Sequence, residues 1–319
     1  MSGLASYLIF FVITATFYAL LCLPLNLQWG MTGLMNVGIT GFFGIGGYAA
    51  ALLTGPDYPG SFGGFGLPVP VGYVGGMAIA AGVALIVGGP ALRLREDFLA
   101  IATFGFSAVV YLVSLNFNGL TRGADGLYGL PKPFAGYGLS NFMENLATLC
   151  FLLAVLGLVY AALEAMARSP WGRVVRAIRE NEEAAEALGK NVFSYRLQSF
   201  VLGSAVMGLS GALYASFIGY FSPQDFLPMM IFQVYAMVII GGGGNNRGAI
   251  AGAFIVWGFW SSSGAIIAAS LPATLHTQSG AIRVILIGLL LALMLLFRPQ
   301  GVFPERRVVS RDAELTDAK

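Results

Sequence analysis

Charge is what this 319-residue sequence has least of: Asp, Glu, Lys and Arg together make up 10% of it, against 57% hydrophobic residues and a mean hydropathy of +0.79. A water-soluble globule of that composition would lack the polar surface to cover itself, so the solvent is lipid. The single histidine, His276, cannot assemble a metal cluster alone and is expected at the outer membrane boundary. Cys22 and Cys150 are the only thiols; both fall in apolar runs, where cysteine packs as a small hydrophobe, and no disulfide between them is expected. A net charge of +2 leaves no electrostatic footprint for nucleic acid. Also lacking is a basic leader with a short apolar core and a small-residue cleavage site, so the first apolar segment reads as a retained span.

The gaps between charges are long. No charged residue occurs from Met1 to Pro56, Tyr58 to Leu92, Phe98 to Thr121, Asn145 to Leu163, Leu197 to Gln224, Phe226 to Asn246, Ala249 to Ile282 or Val284 to Phe297. A spanning helix needs about 20 apolar residues, so these gaps predict an all-α, polytopic transmembrane bundle of about nine spans, roughly eight to ten, with two in the first gap. Gly30 to Leu53 carries seven glycines and reads as a broken or re-entrant helix, which membrane depth tolerates only beside protein or a water-filled path.

Alternating the spans gathers Arg93, Arg95, Arg168, Arg173, Arg176, Arg179, Lys190, Arg196, Arg247, Arg298, Arg306, Arg307, Arg311 and Lys319 on one face. Basic residues concentrate on the cytoplasmic side, so that face is cytoplasmic and Met1 is outside; Arg122, Lys132 and Arg283 fall opposite. The division expected is one transmembrane domain over 1–303, containing a cytoplasmic segment at 168–196, followed by a polar cytoplasmic tail at 304–319.

Two connections break the apolar pattern. The outer one, Asn118 to Asn141, is rich in Gly and Pro and predicts an ordered, turn-rich loop. The inner one, Arg168 to Arg196, holds most of the charge in the middle of the chain. Ser169-Pro170 looks like a helix start and Gly189 like a helix stop, while Val174, Ile178, Ala185 and Leu188 recur near a 3.6-residue period that leaves Arg176, Arg179, Glu183 and Glu186 largely on other faces. One short amphipathic helix, or two, is expected there, with an alanine-rich face suited to a protein groove. Small residues spaced four apart, at Gly72/Gly76, Gly248/Gly252 and Ser204/Gly208/Ala212, predict close helix packing. The run GGGGNN at Gly241 to Asn246 lacks the Lys-Ser or Lys-Thr of a phosphate-binding loop and reads as a tight turn.

Six stretches, in order, resemble the LivM-like permease subunits of branched-chain amino acid ABC transporters, the binding-protein-dependent inner-membrane component family. They are NLQWGMTGLMNVGITGFFGIGGYAAALL, ALRLREDFLAIATFGFSAVVYLV, LTRGADGLYGLP, GRVVRAIRENEEAAEALGKNVFSYRLQSFVLGSAVMGLSGALYA, VIIGGGGNNRGAIAGA and RPQGVF, spanning about Asn26 to Phe303. The resemblance implies a multi-pass permease of the bacterial inner membrane, not itself an enzyme, that imports branched-chain or related small amino acids. It implies a second homologous permease subunit, two cytoplasmic ATPase subunits that hold the ATP and magnesium, and an extracytoplasmic substrate-binding protein; this chain binds no cofactor of its own.

Glu182, Glu183, Ala184, Ala185, Glu186, Ala187, Leu188 and Gly189 correspond to the loop that docks into an ATPase cleft in such systems. Where the family often carries a histidine, this sequence reads Ile39-Thr40. Polar residues available to line a path nearby are Asn36, Thr40, Thr103 and Ser107, whose other reading is hydrogen bonding between helices. Alternatives left open are urea or short amides as substrate and, from the broken-helix signal, a sodium-coupled carrier. Membrane-embedded catalysis is disfavoured because no Asp or Glu lies deep in a span; Glu164 and Asp225 sit near span ends.

Overall fold

The computed structural model describes residues 2–58, 60–136, 138, 140–270 and 279–305. His276 and the chain beyond Glu305 lie outside the described residues. Helix α1 (Ser2–Leu25) enters with Pro24 in its last turn. Proline has no amide to donate and crowds the carbonyl of the preceding turn, and the chain continues as a wider π turn over Asn26–Met31. It leaves helical geometry at 32–38 and resumes as α2 (Ile39–Thr54). The break expected in the glycine-rich stretch is therefore placed before α2, and α2 itself is an unbroken helix.

The chain goes on through α3 (Val69–Ala91), α4 (Glu96–Asn116), a single helical turn α5 (Asn118–Thr121), strand β1 (Leu127–Tyr128), and α6 (Asn141–Arg168). Two short helices, α7 (Pro170–Glu180) and α8 (Glu182–Ala187), precede α9 (Val192–Ile218). Strand β2 (Tyr220–Phe221), α10 (Met229–Gly241), α11 (Asn246–Ser270) and α12 (Ser279–Phe297) complete the order. Seven described helical stretches are long and apolar enough to cross a membrane, and the 16-residue α2 and 25-residue α11 pack among them. The protein is a multi-pass helical membrane protein.

The bundle closes on glycine. Alpha2, α3 and α9 pack backbone to backbone: a Cβ on Gly46 would collide with the carbonyl of Gly208, one on Gly211 with the carbonyl of Phe43, and one on Gly76 would lie 2.7 Å from the Gly46 oxygen. Helix pairs in lipid gain no hydrophobic driving force, so such approach must supply dispersion contact instead. Gly252 meets Met237 and Gly248 meets Gly241 in the same way, which makes α10 and α11 an antiparallel hairpin whose tight turn is the GGGGNN run. Side chains such as Ile86, Ile101, Leu158, Ile285 and Leu296 point outward on α3, α4, α6 and α12. Cys22 is buried at 3.8 Å from the Met237 sulfur, but Cys150 is exposed, because α6 buries the face of Leu152, Leu156 and Val159.

The outer loop is ordered and partly helical, with α5 ending at Arg122. Arg122 is the one non-glycine residue with positive φ (59°) among those described, and its guanidinium lies 5.1 and 5.0 Å from the ring centres of Tyr58 and Tyr128. Tyr58 also donates to the Tyr128 carbonyl, and β1 pairs antiparallel with β2, so one small hub ties the loops after α2, α5 and α9 together. Arg122→Ala removes both cation–π contacts and keeps the strained backbone, and is expected to destabilise the chain by about 1–2 kcal/mol. Arg122→Gly relieves the backbone and should recover part of that loss. Thermal unfolding of the two variants in detergent measures the difference, and equal midpoints would refute it.

Candidate functional site

The segment between α6 and α9 is cut into pieces by its own caps. Ser169 accepts from the Gly172 amide (3.4 Å) and Pro170 takes the first helical position, where its missing N–H has no helical partner to lose. Asn181, in extended conformation, ends α7 and caps α8 by accepting from the Ala184 amide (2.9 Å). Asn191 does the same for α9 through the Ser194 amide (3.0 Å). Gly189, at φ 74°, closes α8: its amide bonds the Glu186 carbonyl (2.8 Å) and the Lys190 amide bonds the Ala185 carbonyl (3.1 Å), a paired terminator that needs a left-handed residue.

The break at Asn181 resets the helical phase. Val174, Ile178 and Ala185 do face inward, packing with Val192 and Tyr195, but Leu188 is 79% exposed. Glu182 turns back to Arg196 at 2.8 Å, so it anchors α8 to α9. Glu183, Ala184, Glu186, Ala187, Leu188 and Gly189 are left on the exposed side. A surface recess of about 490 Å³ opens beside them, lined by Arg93, Arg95, Glu182, Glu186, Phe193 and Arg196. Arg93 and Arg95, from the turn after α3, thus share one end of the bundle with α8.

Arg179 does not face solvent as its place in the sequence pattern suggests. Its side chain, 23% exposed, donates from Nη1 to the Gly30 carbonyl in the π turn and pairs through Nη2 with Glu305 at 3.0 Å. Its stem lies against Gly33, where an added Cβ would come within 3.1 Å. From the π turn a polar cluster runs through buried Asn26 and Asn246 to the more exposed Glu164–Arg168 pair. Asn26 accepts from the Gly244 amide (2.7 Å) and donates to Asn246 (3.0 Å), and Asn246 donates to Glu164 (3.0 Å), which pairs with Arg168 at 2.7 Å. Gln28 donates to the Phe200 carbonyl in α9 (2.8 Å) and accepts from Asn36 (2.8 Å).

The four polar candidates meet here, where the chain enters α2 beside α4. Asn36 accepts from the Gly38 amide (2.7 Å) and its carbonyl accepts from Tyr235 (2.9 Å); Thr103 accepts from the Val37 amide (2.9 Å) and Ser107 from the Gly41 amide (3.0 Å). Irregular backbone inside a membrane must find such partners. Thr40 differs: its hydroxyl is buried with no partner among the described residues. Gln28, Asn26, Asn246 and Arg179 escape a reading by local pattern, although amide side chains inside charge-free runs are themselves a signal of buried hydrogen bonding.

The family described as "Branched-chain amino acid transport system / permease component" matches residues 7–295. The chain belongs to this permease family. It is 32% identical over 312 residues to the high-affinity branched-chain amino acid transport system permease protein LivM of Escherichia coli K12, covering 91% of this chain and 68% of that protein. It is 26% identical to a probable branched-chain amino acid transport permease protein LivM of Methanocaldococcus jannaschii, covering 92% of each. The E. coli permease protein LivH is more distant, at 27% over 256 residues, 75% of this chain and 79% of LivH. No solved structure matches. In this permease, then, Arg179 joins α7, the helix that precedes the exposed α8, to the π turn from which the polar network starts.

Proposed function

We propose that this permease forms half of the passage of an ATP-driven importer for branched-chain or related small aliphatic amino acids. It pairs with a second homologous permease chain, receives substrate from an extracytoplasmic binding protein, and is driven by two cytoplasmic ATPase subunits that hold the ATP and magnesium. Its likeness to both LivM and LivH supports a partner of the same family. The observation that carries the reading is α8: a short helix held rigidly from behind by Ala185, Ile178, Val192 and the Glu182–Arg196 pair, with Glu183, Ala184, Ala187 and Leu188 offered to the cytoplasm. Small residues beside one exposed leucine suit a cleft, and Glu183 and Glu186 can meet basic groups at its rim. Asn36, Thr40, Thr103 and Ser107 are assigned to the wall of the passage, with Thr40 carrying the uncommitted hydroxyl.

Leu188→Asp places a charge where an apolar anchor enters the cleft, and is expected to weaken ATPase association by at least about 2 kcal/mol, roughly thirtyfold. Joint replacement of Glu183 and Gly189 should have the same effect, since alanine at Gly189 strains the terminator by about 1–2 kcal/mol. Co-purification of the permease with its ATPase partners and substrate uptake are the measurements. Normal uptake in either variant, with membrane insertion intact, would sink the assignment of α8.

A further inference from the structure

On the outer side of the bundle, α1, α9, the turn before α10 and α11 enclose a cavity of about 240 Å³. Its wall is aromatic: Phe17 meets Tyr214 edge-on at 5.5 Å and Phe217 at 5.8 Å, and Tyr18 packs on Trp257 at 5.1 Å. Among the described residues Asp225 is the only charged side chain in that wall, and no basic residue lines it. The Asp225 carboxylate accepts the Ser222 amide (2.8 Å) and hydroxyl (3.0 Å) at one oxygen and the Tyr214 hydroxyl (3.1 Å) at the other, and it makes no ion pair among the described residues. Behind Tyr18, which donates to Gln233 (3.4 Å), Gln233 Nε2 and Trp257 Nε1 are buried donors without partners among the described residues.

We infer that this cavity is a subsite for a primary ammonium group carried on a small aliphatic body, the amino end of a zwitterionic amino acid. Asp225 lies at the end of a span, and an oriented carboxylate facing an aromatic cavity with no cation beside it among the described residues is a place for a cationic ligand group. Aromatic faces around it attract a cation by their quadrupoles and take hydrocarbon equally well. The cavity is below the roughly 300–1,000 Å³ of drug-sized sites, a scale that suits a small substrate. The assignment rests on the importer reading and narrows it: urea and uncharged amides have no ammonium to offer Asp225.

The test uses the whole transporter in phosphatidylcholine nanodiscs, whose lipid carries no primary ammonium, with radiolabelled leucine as probe. Isopentylamine, leucine without its carboxylate, should compete for the bound label, and 4-methylpentanoate, leucine without its ammonium, should not. Asp225→Asn keeps the capping acceptor and loses the charge, and should weaken leucine binding about ten- to a hundredfold, with assembly checked by size exclusion. Equal competition by the acid and the amine on unaltered protein would overturn the proposal even if the variant failed to assemble. Leucine uptake in Asp225→Asn at the normal rate and KM would also overturn it while leaving the importer reading intact. Amine binding that depends on Asp225 in a transporter that does not carry leucine would uphold the ammonium site and fail the importer's substrate. Nanodiscs containing phosphatidylethanolamine separate the lipid source: loss of the label there would assign the site to lipid headgroups and overturn the amino acid assignment.

Discussion

Gly211→Ala is expected to leave no folded permease. A Cβ at that position falls on the Phe43 carbonyl oxygen and 2.9 Å from the Gly47 amide nitrogen, so both obstacles are backbone and neither can rotate away. Relief requires α2 and α9 to separate, which would also part Gly46 from Gly208. Overpacking of well-packed interiors typically costs about 1–3 kcal/mol, and the rigid backbone on both sides places this site at or above that range. Gly157 in α6 and Gly105 in α4 have nothing within 4 Å of an added Cβ, and alanine there should be neutral or stabilise by up to about 1 kcal/mol through helix propensity. Size-exclusion profiles of the detergent-solubilised variants decide it. A monodisperse Gly211→Ala with an unchanged unfolding midpoint would refute the contact.

That contrast also marks how much the sequence could tell. Small residues at spacing four mark Gly72/Gly76, Gly248/Gly252 and Ser204/Gly208/Ala212, and they do sit at helix contacts; Gly46 and Gly211, the tightest partners of α2 and α9, also have alanine at that spacing (Ala50 and Ala215), but spacing alone does not say which helix each meets. Charge-free gaps located the membrane helices because lipid penalises charge wherever it falls, a rule that needs no partner. The break before α2 was signalled differently, by the glycines from Gly30 to Leu53, and the structure places it at the start of that stretch, after the π turn that follows Pro24.

Periodicity over residues 174–188 failed at Leu188 for a physical reason. A 3.6-residue repeat holds only while the helix is continuous, and Asn181 followed by Glu182 and Glu183 is a helix start signature that interrupts it. Arg179 could not be placed by pattern at all, since its partners Gly30 and Glu305 are 149 and 126 residues away. The ammonium cavity is likewise a product of convergence, with Phe17, Tyr214, Asp225 and Trp257 drawn from separate elements.

Arg179→Ala should uncouple the transporter, lowering substrate moved per ATP hydrolysed while ATPase subunits remain bound. The variant leaves the exposed surface of α8 untouched, so docking persists. What it removes is the link from α7 to the π turn: the hydrogen bond to the Gly30 carbonyl, the 3.0 Å pair with Glu305, and the stem against Gly33. Hydrogen bonds from a charged donor contribute about 1.5–3 kcal/mol, enough to shift a two-state element by roughly ten- to a hundredfold. The π turn is where such a shift matters, because Asn26 and Gln28 within it are bonded to α9, α11 and the 32–38 segment that leads into α2. Arg179→Lys retains a charge for Glu305, but a single ammonium lacks the planar fork that reaches Gly30 and Glu305 together, so it should restore stability more than coupling. The ratio of uptake to hydrolysis separates this role from a merely structural one, which would lower both in proportion. A wild-type ratio in Arg179→Ala would place the transmission of force elsewhere on α7 or α9.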